Sequence, residues 1–249
     1  MTGCLLIHGF CGSSFEMEPL VAPLKNAGCR VRLVTLPGHG SSPEAFMKTS
    51  FTDWAAAAEE EYRRLAAEVE QCFVIGLSMG GTLCLHLAAR FPVAGAVCLA
   101  APVFIYSYFP WRMPDWRMPF LPLIARHTPR IAKRPSRPES REIAPWEGYE
   151  GALYPPQILS LVRGTRAVRQ NLSAVTAPLL LIQDAGDRLV YPDNLWTIAK
   201  EVRSEDIRMR LTRIREEKTS RHLLTTHRET RAFVADQVAA FVEGLASRG

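Results

Sequence analysis

Residues 72–90 read CFVIGLSMGGTLCLHLAAR. An apolar run of buried-strand type, Cys72 to Gly76, leads to Ser78 set between two glycines. A helix-forming run rich in leucine and alanine then continues from Met79 to Arg90, just short of Pro92. A serine in Gly-x-Ser-x-Gly between a strand and a helix has the context of a nucleophile elbow. The hydroxyl must leave the sheet from a sharp, strained turn, where bulky side chains two residues on either side would clash; hence Gly76 and Gly80. The start of the following helix aims backbone N–H groups at the same point. Ser78 is therefore the candidate nucleophile, and the Met79 N–H a candidate donor to a developing oxyanion.

Working outward, a second buried-strand run, Gly3 to Ile7, is followed by His8-Gly9-Phe10. A tetrahedral intermediate needs two backbone donors, and the Phe10 N–H, on a turn that Gly9 allows to run close, is the second candidate. His8 precedes the serine and closes a strand, so a structural role is expected for it. Strand and helix patterns alternate through the chain: a helix at 19–27, a strand at 30–35, a helix at 52–68 capped by Ser50 or Thr52, and a strand at 95–100. Further on come a strand at 178–183, a helix at 192–202, a strand at 207–214 and a closing helix at 229–245. This alternation predicts an α/β fold, a mostly parallel sheet flanked by helices. Pro102 to Pro156 breaks the rhythm with proline, arginine and aromatics. So long a structureless loop is improbable, so the segment 103–156 is read as a small inserted cap on a core of 1–102 and 157–249.

A serine hydroxyl needs a base, and the base an orienting carboxylate; in this architecture both follow the serine, acid first. PLLLIQ runs into Asp184-Ala185-Gly186-Asp187, and Asp187 is the preferred acid, with Asp184 and Asp193 read as turn or helix-start residues. Of the two histidines after the last strand, His222 lies in the loop and is preferred as the base over His227, nearer the closing helix. His39, His86 and His127 precede the acid and are read as structural.

Composition narrows the field. With 47% hydrophobic and 22% charged residues, the chain of 249 suits a globular domain able to bury a dry site. No run approaches the roughly 20 apolar residues of a membrane span, and the start shows no basic leader, so a cytoplasmic enzyme is expected. The six cysteines have no zinc-type spacing and read as buried reduced thiols. Without an HExxH run or a histidine–carboxylate cluster, neither metal nor cofactor is expected. The net charge of +5 arises largely from clusters at 126–141 and 208–221. Neither contains a nucleic-acid motif, and both read as solvated surface.

The stretches LLIHGFCGSS, LPGHGSSP, FTDW, GLSMGG, DAGD and the SRH near the end together resemble the bacterial carboxylesterase and monoacylglycerol lipase branch of the α/β hydrolases. The resemblance spans nearly the whole chain outside the cap. It implies a parallel sheet, a small cap, and metal-free hydrolysis of short- to medium-chain esters through Ser78, His222 and Asp187. Phe10 and Met79 would be the oxyanion donors, and a small-molecule ester, such as a monoacylglycerol, the substrate. Two departures stand out: Arg221 replaces the glycine usual before the histidine, and the chain starts almost at the third conventional strand, which shortens one sheet edge. Thioesterase, amidase, C–C hydrolase or cofactor-free haloperoxidase chemistry on the same triad stays open, as does a non-catalytic binding protein. In the cap, large apolar residues from Phe104 to Ile124, among them Tyr108, Phe109, Trp111, Met113, Trp116 and Phe120, are expected to form its core and in part to wall an acyl pocket.

Overall fold

The computed structural model describes residues 1–107, 112 and 115–247. The strands are β1 (Thr2–Ile7), β2 (Arg30–Val34), β3 (Gln71–Leu77), β4 (Gly95–Leu99), β5 (Ile131–Ala132), β6 (Ala152–Leu153), β7 (Leu179–Asp184) and β8 (Ile207–Thr212). The helices are α1 (Val21–Asn26), α2 (Pro43–Phe46), α3 (Phe51–Ala66), α4 (Met79–Ala88), α5 (Leu121–His127), α6 (Pro138–Ile143), α7 (Pro155–Gln170), α8 (Asp193–Glu201) and α9 (Arg231–Ala246). Six strands form one parallel sheet in the order β2-β1-β3-β4-β7-β8, and β5 and β6 pair antiparallel apart from it.

Period-2 patterning accounts for the layers. Cys4 and Leu6 of β1, Phe73 and Ile75 of β3, and Leu180 and Ile182 of β7 join one core with α9 and the 3-10 turn Ser14–Leu20. Their alternates, Leu5 and Ile7, Val74, and Leu179 and Leu181, join the other with α3, α4, α7 and α8. Both faces are buried, which is why these strands read as continuous apolar runs. Helix α3 starts from a capping box, with Asp53 Oδ2 2.8 Å from the Ser50 N–H. Among the described residues, no helix is long and apolar enough to cross a membrane.

Helix α7 departs from the sequence reading, which left 157–177 without an element. Its start, Pro155-Pro156, resembles a breaker, but proline is favoured in a first helical turn. Gly164 within it lets α7 press on α3: a Cβ there would lie 2.2 Å from the Phe51 ring. The region between β4 and α7 carries α5, β5, α6 and β6. Tyr108, Phe109, Trp111 and Met113 lie outside the described residues.

Strand order also places the site. From β1 the sheet continues to β2 on one side and β3 on the other, so the loops after β1 and β3 diverge. A parallel sheet opens a crevice at such a switch point, beyond the carboxyl ends of its strands. Gly9-Phe10 follows β1 and Ser78 follows β3.

Candidate active site

Ser78 has φ +55° and ψ −121°, a strained conformation for a residue with a side chain. Its N–H donates to the Leu99 carbonyl at 2.7 Å, which fixes the turn against β4. The glycines are obligatory here. A Cβ on Gly76 would lie 2.2 Å from the Gly80 carbonyl carbon, and one on Gly80 would lie 2.0 Å from the Ile7 carbonyl oxygen. The elbow is therefore wedged against the end of β1. A Cβ on Gly9 would come 3.4 Å from the Ser78 Cβ, so the Gly9-Phe10 turn runs alongside the serine. The Phe10 ring packs edge-on against Phe46 and Trp54. Met79 begins α4, directly after Ser78.

His222 and Asp187 meet. His222 Nδ1 lies 2.7 Å from Asp187 Oδ2, and neither side chain is more than 6% exposed. Gln183 donates to the same oxygen at 2.9 Å, and the Leu189 and Val190 N–H groups donate to Oδ1 at 2.8 and 3.0 Å. The carboxylate is thus fixed from four sides. Burial disfavours a charged His222, but the Asp187 charge and hydrogen bond, with a contribution from Glu16, outweigh it and raise its pKa above the usual imidazole value. Ser78 and His222 line the same cavity, of about 850 Å³, without a direct hydrogen bond between them. With Nδ1 engaged by Asp187, the ring nitrogen left for the serine is Nε2.

The other histidines are committed elsewhere. His8 Nε2 accepts the Leu36 N–H and His39 Nε2 the Cys11 N–H, each at 3.2 Å. Burial pushes their pKa values down to about 4 and about 3, so both stay neutral pins between loops. His227 Nε2 lies 3.1 Å from Glu216 Oε1, while its Nδ1 accepts the Glu229 N–H. His86 pairs with Glu59 and His127 is exposed at the end of α5. Asp184 clamps loops: it accepts the Gly186 N–H on Oδ1, and the Thr212 hydroxyl and Ile214 N–H on Oδ2, each at 2.8 Å. Asp193 pairs with Arg112.

Two residues escaped the sequence reading. Glu16, 1% exposed, accepts the Gly9 N–H at 2.7 Å and the Trp146 indole N–H at 2.5 Å, and it lines the cavity. Burial, only partly offset by these bonds, raises its pKa to about 7. Its signal in the sequence was slight: a carboxylate in the apolar setting SFEMEPL, two residues before another. Trp146 could be linked to it only through the fold. Arg221 has φ +59°, the region glycine occupies without strain. Its Nε donates to the Glu216 carbonyl at 2.7 Å, and its Nη1 lies 2.7 Å from where a Gly186 Cβ would be, so it does crowd the acid turn.

The apolar wall of the cavity draws only in part on the expected run among the described residues. Of the run from Phe104 to Ile124, only Ile105 lines it among the described residues; Trp116, Phe120 and Leu123 are exposed, and Met118 and Leu121 are buried elsewhere. The wall comes from Leu153, Tyr154, Ile158 and Leu161 around the start of α7, and from Leu189 and Val190. The sequence reading looked to the densest aromatic run, whereas the fold turned the chain after β6 toward the serine.

Known proteins agree with this architecture. The chain is 33% identical over 205 residues to a thermostable monoacylglycerol lipase of Bacillus sp. (strain H-257), covering 82% of this chain and 78% of that protein. It is 26% identical over 243 residues to a carboxylesterase of Bacillus subtilis (strain 168), covering 97% and 92%. A solved structure from work on the metagenome-derived lipolytic enzymes LipS and LipT superposes with a TM-score of 0.82 at 25% identity, over 98% of this chain and 94% of that one. The model of the alpha/beta hydrolase family matches residues 4–241, and the chain belongs to that family.

Proposed function

We propose that the chain is a serine carboxylic-ester hydrolase acting through Ser78, His222 and Asp187, with the Phe10 and Met79 N–H groups as oxyanion donors. The observation that carries this reading is the buried His222–Asp187 pair opening into the cavity that also holds the strained Ser78. Ser78 Oγ attacks the ester carbonyl carbon as His222 Nε2 takes its proton. The carbonyl oxygen becomes an oxyanion between the two N–H groups. Collapse breaks the bond to the alcohol oxygen, which receives the proton from His222 and leaves an acyl-enzyme. Water, deprotonated by His222, then releases the acid. Asp187 holds the tautomer that presents Nε2 and stabilises the imidazolium that forms.

The relatives named monoacylglycerol lipase and carboxylesterase support an ester as substrate and a monoacylglycerol as one form of it. So does Glu150, a cavity residue whose buried Oε1 has no hydrogen-bond partner and would accept from a glycerol hydroxyl. The segment 103–156 acts as a cap over this site. Six buried free cysteines suit a reducing cytoplasm. Labelling by a fluorophosphonate, lost in Ser78→Ala, tests the nucleophile. A matched panel of ester, thioester and amide substrates tests the bond cleaved, and faster turnover of the thioester or amide would overturn the ester assignment.

A further inference from the structure

The basic cluster at 126–141, which reads as solvated surface in the sequence, reaches the cavity. Lys133, Arg134, Arg137, Arg141, Arg188 and Lys218 line it, against three acidic residues, Glu16, Glu150 and Glu217. Arg141 pairs with Glu150, and Lys218 with Glu139. Lys133, Arg134 and Arg137 are exposed and have no ion-pair partner among the described residues. Unpaired cations on an ordinary surface need no explanation, but these sit on a shaped segment that lines the cavity holding the serine. The Lys133 N–H donates to the Gly151 carbonyl at 2.9 Å, continuing the β5–β6 pairing, and Arg137 begins α6 in extended geometry. Pro135 and Pro138 restrict the chain between them.

We propose that Lys133, Arg134 and Arg137 form a binding site for a phosphate carried on the alcohol portion of the substrate ester, a specificity that rests on the ester-hydrolase reading above. With the acyl chain against the apolar wall at Ile158 and Leu161, the polar end of the substrate is free to meet the three exposed cations that line the same cavity. Two guanidinium forks and an ammonium match the oxygens of a phosphate better than they match a neutral head, and Arg in particular binds it bidentately. Like charges beside a low-dielectric cavity also concentrate anions there. Glu16 opposes this little, because burial keeps much of it protonated near neutrality.

The test compares monohexanoylglycerol with its phosphorylated form, hexanoylglycerol phosphate, and with the ester of glyceric acid, all as dissolved monomers. The expected kcat/KM for the phosphate ester is at least ~10-fold above that of the neutral ester at low salt. That preference should shrink several-fold as sodium chloride rises to about 0.5 M. In Lys133→Glu/Arg134→Glu/Arg137→Glu the ratio of phosphate to neutral ester should fall to about one or below. Arg134→Glu alone, on an exposed side chain, should move it the same way. A wild-type ratio at or below one, or a ratio unmoved by both variants, overturns the proposal; a glycerate ester preferred over the phosphate overturns its phosphate assignment. Failure of the ester-hydrolase reading looks different: no ester is cleaved, while calorimetry still detects glycerol phosphate binding that the triple variant loses.

Discussion

Trp146, in the segment before β6, donates its indole N–H to Oε1 of Glu16 at 2.5 Å, while Oε2 of the same carboxyl holds the Gly9 N–H. One buried carboxyl thus joins the inserted region to the turn that carries the Phe10 N–H. The glycine at position 12 makes room for it, since a Cβ there would lie 2.0 Å from Glu16 Oε1. Tyr149 reinforces the joint, its N–H donating to the Cys11 carbonyl and its hydroxyl to the Gly38 carbonyl.

Glu16→Gln should move the acid limb of the pH–rate profile. The base works neutral, so kcat/KM falls as pH drops through the His222 pKa, which lies above the ordinary value of 6.5. The Glu16 charge helps to raise it. Removing that charge should shift the limb to lower pH. Stability should respond with a definite sign. A carboxyl raised from 4.5 to about 7 binds its proton more tightly in the folded state. It therefore costs nothing below its unfolded pKa and destabilises progressively as pH rises toward about 7. The Tm difference between Glu16→Gln and wild type should grow in favour of the variant from about pH 5 to about pH 8. Parallel pH–rate and pH–Tm curves for the two proteins would refute both claims.

Ser78→Ala and His222→Ala should each lose at least ~10³-fold in turnover while remaining folded. His227→Ala should stay within about tenfold of wild-type turnover, because both of its nitrogens are engaged by Glu216 and Glu229. It should instead lose stability, by about 1–3 kcal/mol, because a fully buried side chain and its two hydrogen bonds are removed. Steady-state kinetics beside thermal melts separate the two kinds of loss. An inactive His227→Ala with an active His222→Ala would reverse the assignment of the base.

The elbow was legible because its constraints are local. Gly76, Ser78 and Gly80 are each dictated by contacts within one turn and one neighbouring strand, and chain order then narrowed the acid and the base to a few residues, of which the preferred Asp187 and His222 meet. The sheet was legible because alternating buried faces leave continuous apolar runs. Glu16 and Trp146 were not, since 130 residues separate them and nothing local marks their contact. Helix α7 was missed because Pro155 and Pro156 look like an end when they are a beginning. Of the apolar run in the cap only Ile105 lines the cavity among the described residues, because an apolar side chain carries no mark of whether it faces a cavity, a core or solvent.

Asp184 should matter to folding and not to chemistry. Its carboxyl binds the Gly186 N–H, the Thr212 hydroxyl and the Ile214 N–H, joining the loops that present Asp187 and lead toward His222. Asp184→Ala orphans two buried donors, on Thr212 and Ile214, at about 1–3 kcal/mol each if neither is rescued by water, and a half-buried one on Gly186. Its Tm should fall sharply, yet turnover per folded molecule at low temperature should stay within about tenfold of wild type. Asp187→Asn should do the opposite: a near-normal Tm with turnover down by up to ~10⁴-fold, because the imidazole tautomer is lost. Equal behaviour of the two variants would mean that the acid has been misassigned.

The apolar wall predicts a chain-length profile for neutral esters. Each buried methylene contributes about 0.8 kcal/mol, so each added pair of carbons should raise kcat/KM by roughly tenfold until the cavity is full. On p-nitrophenyl esters the rate should rise from acetate, peak at a medium chain and fall for the longest. Ile158, half-buried on α7, lines the cavity and can be enlarged without entering the sheet core. Ile158→Trp should move the optimum toward shorter chains while the acetate rate changes by no more than a few-fold. Monoacylglycerols should be cleaved well ahead of triacylglycerols, which carry two further acyl chains to be accommodated beside the one against the wall. A flat profile in the wild type, or an optimum unmoved in Ile158→Trp, would show that the acyl chain lies elsewhere.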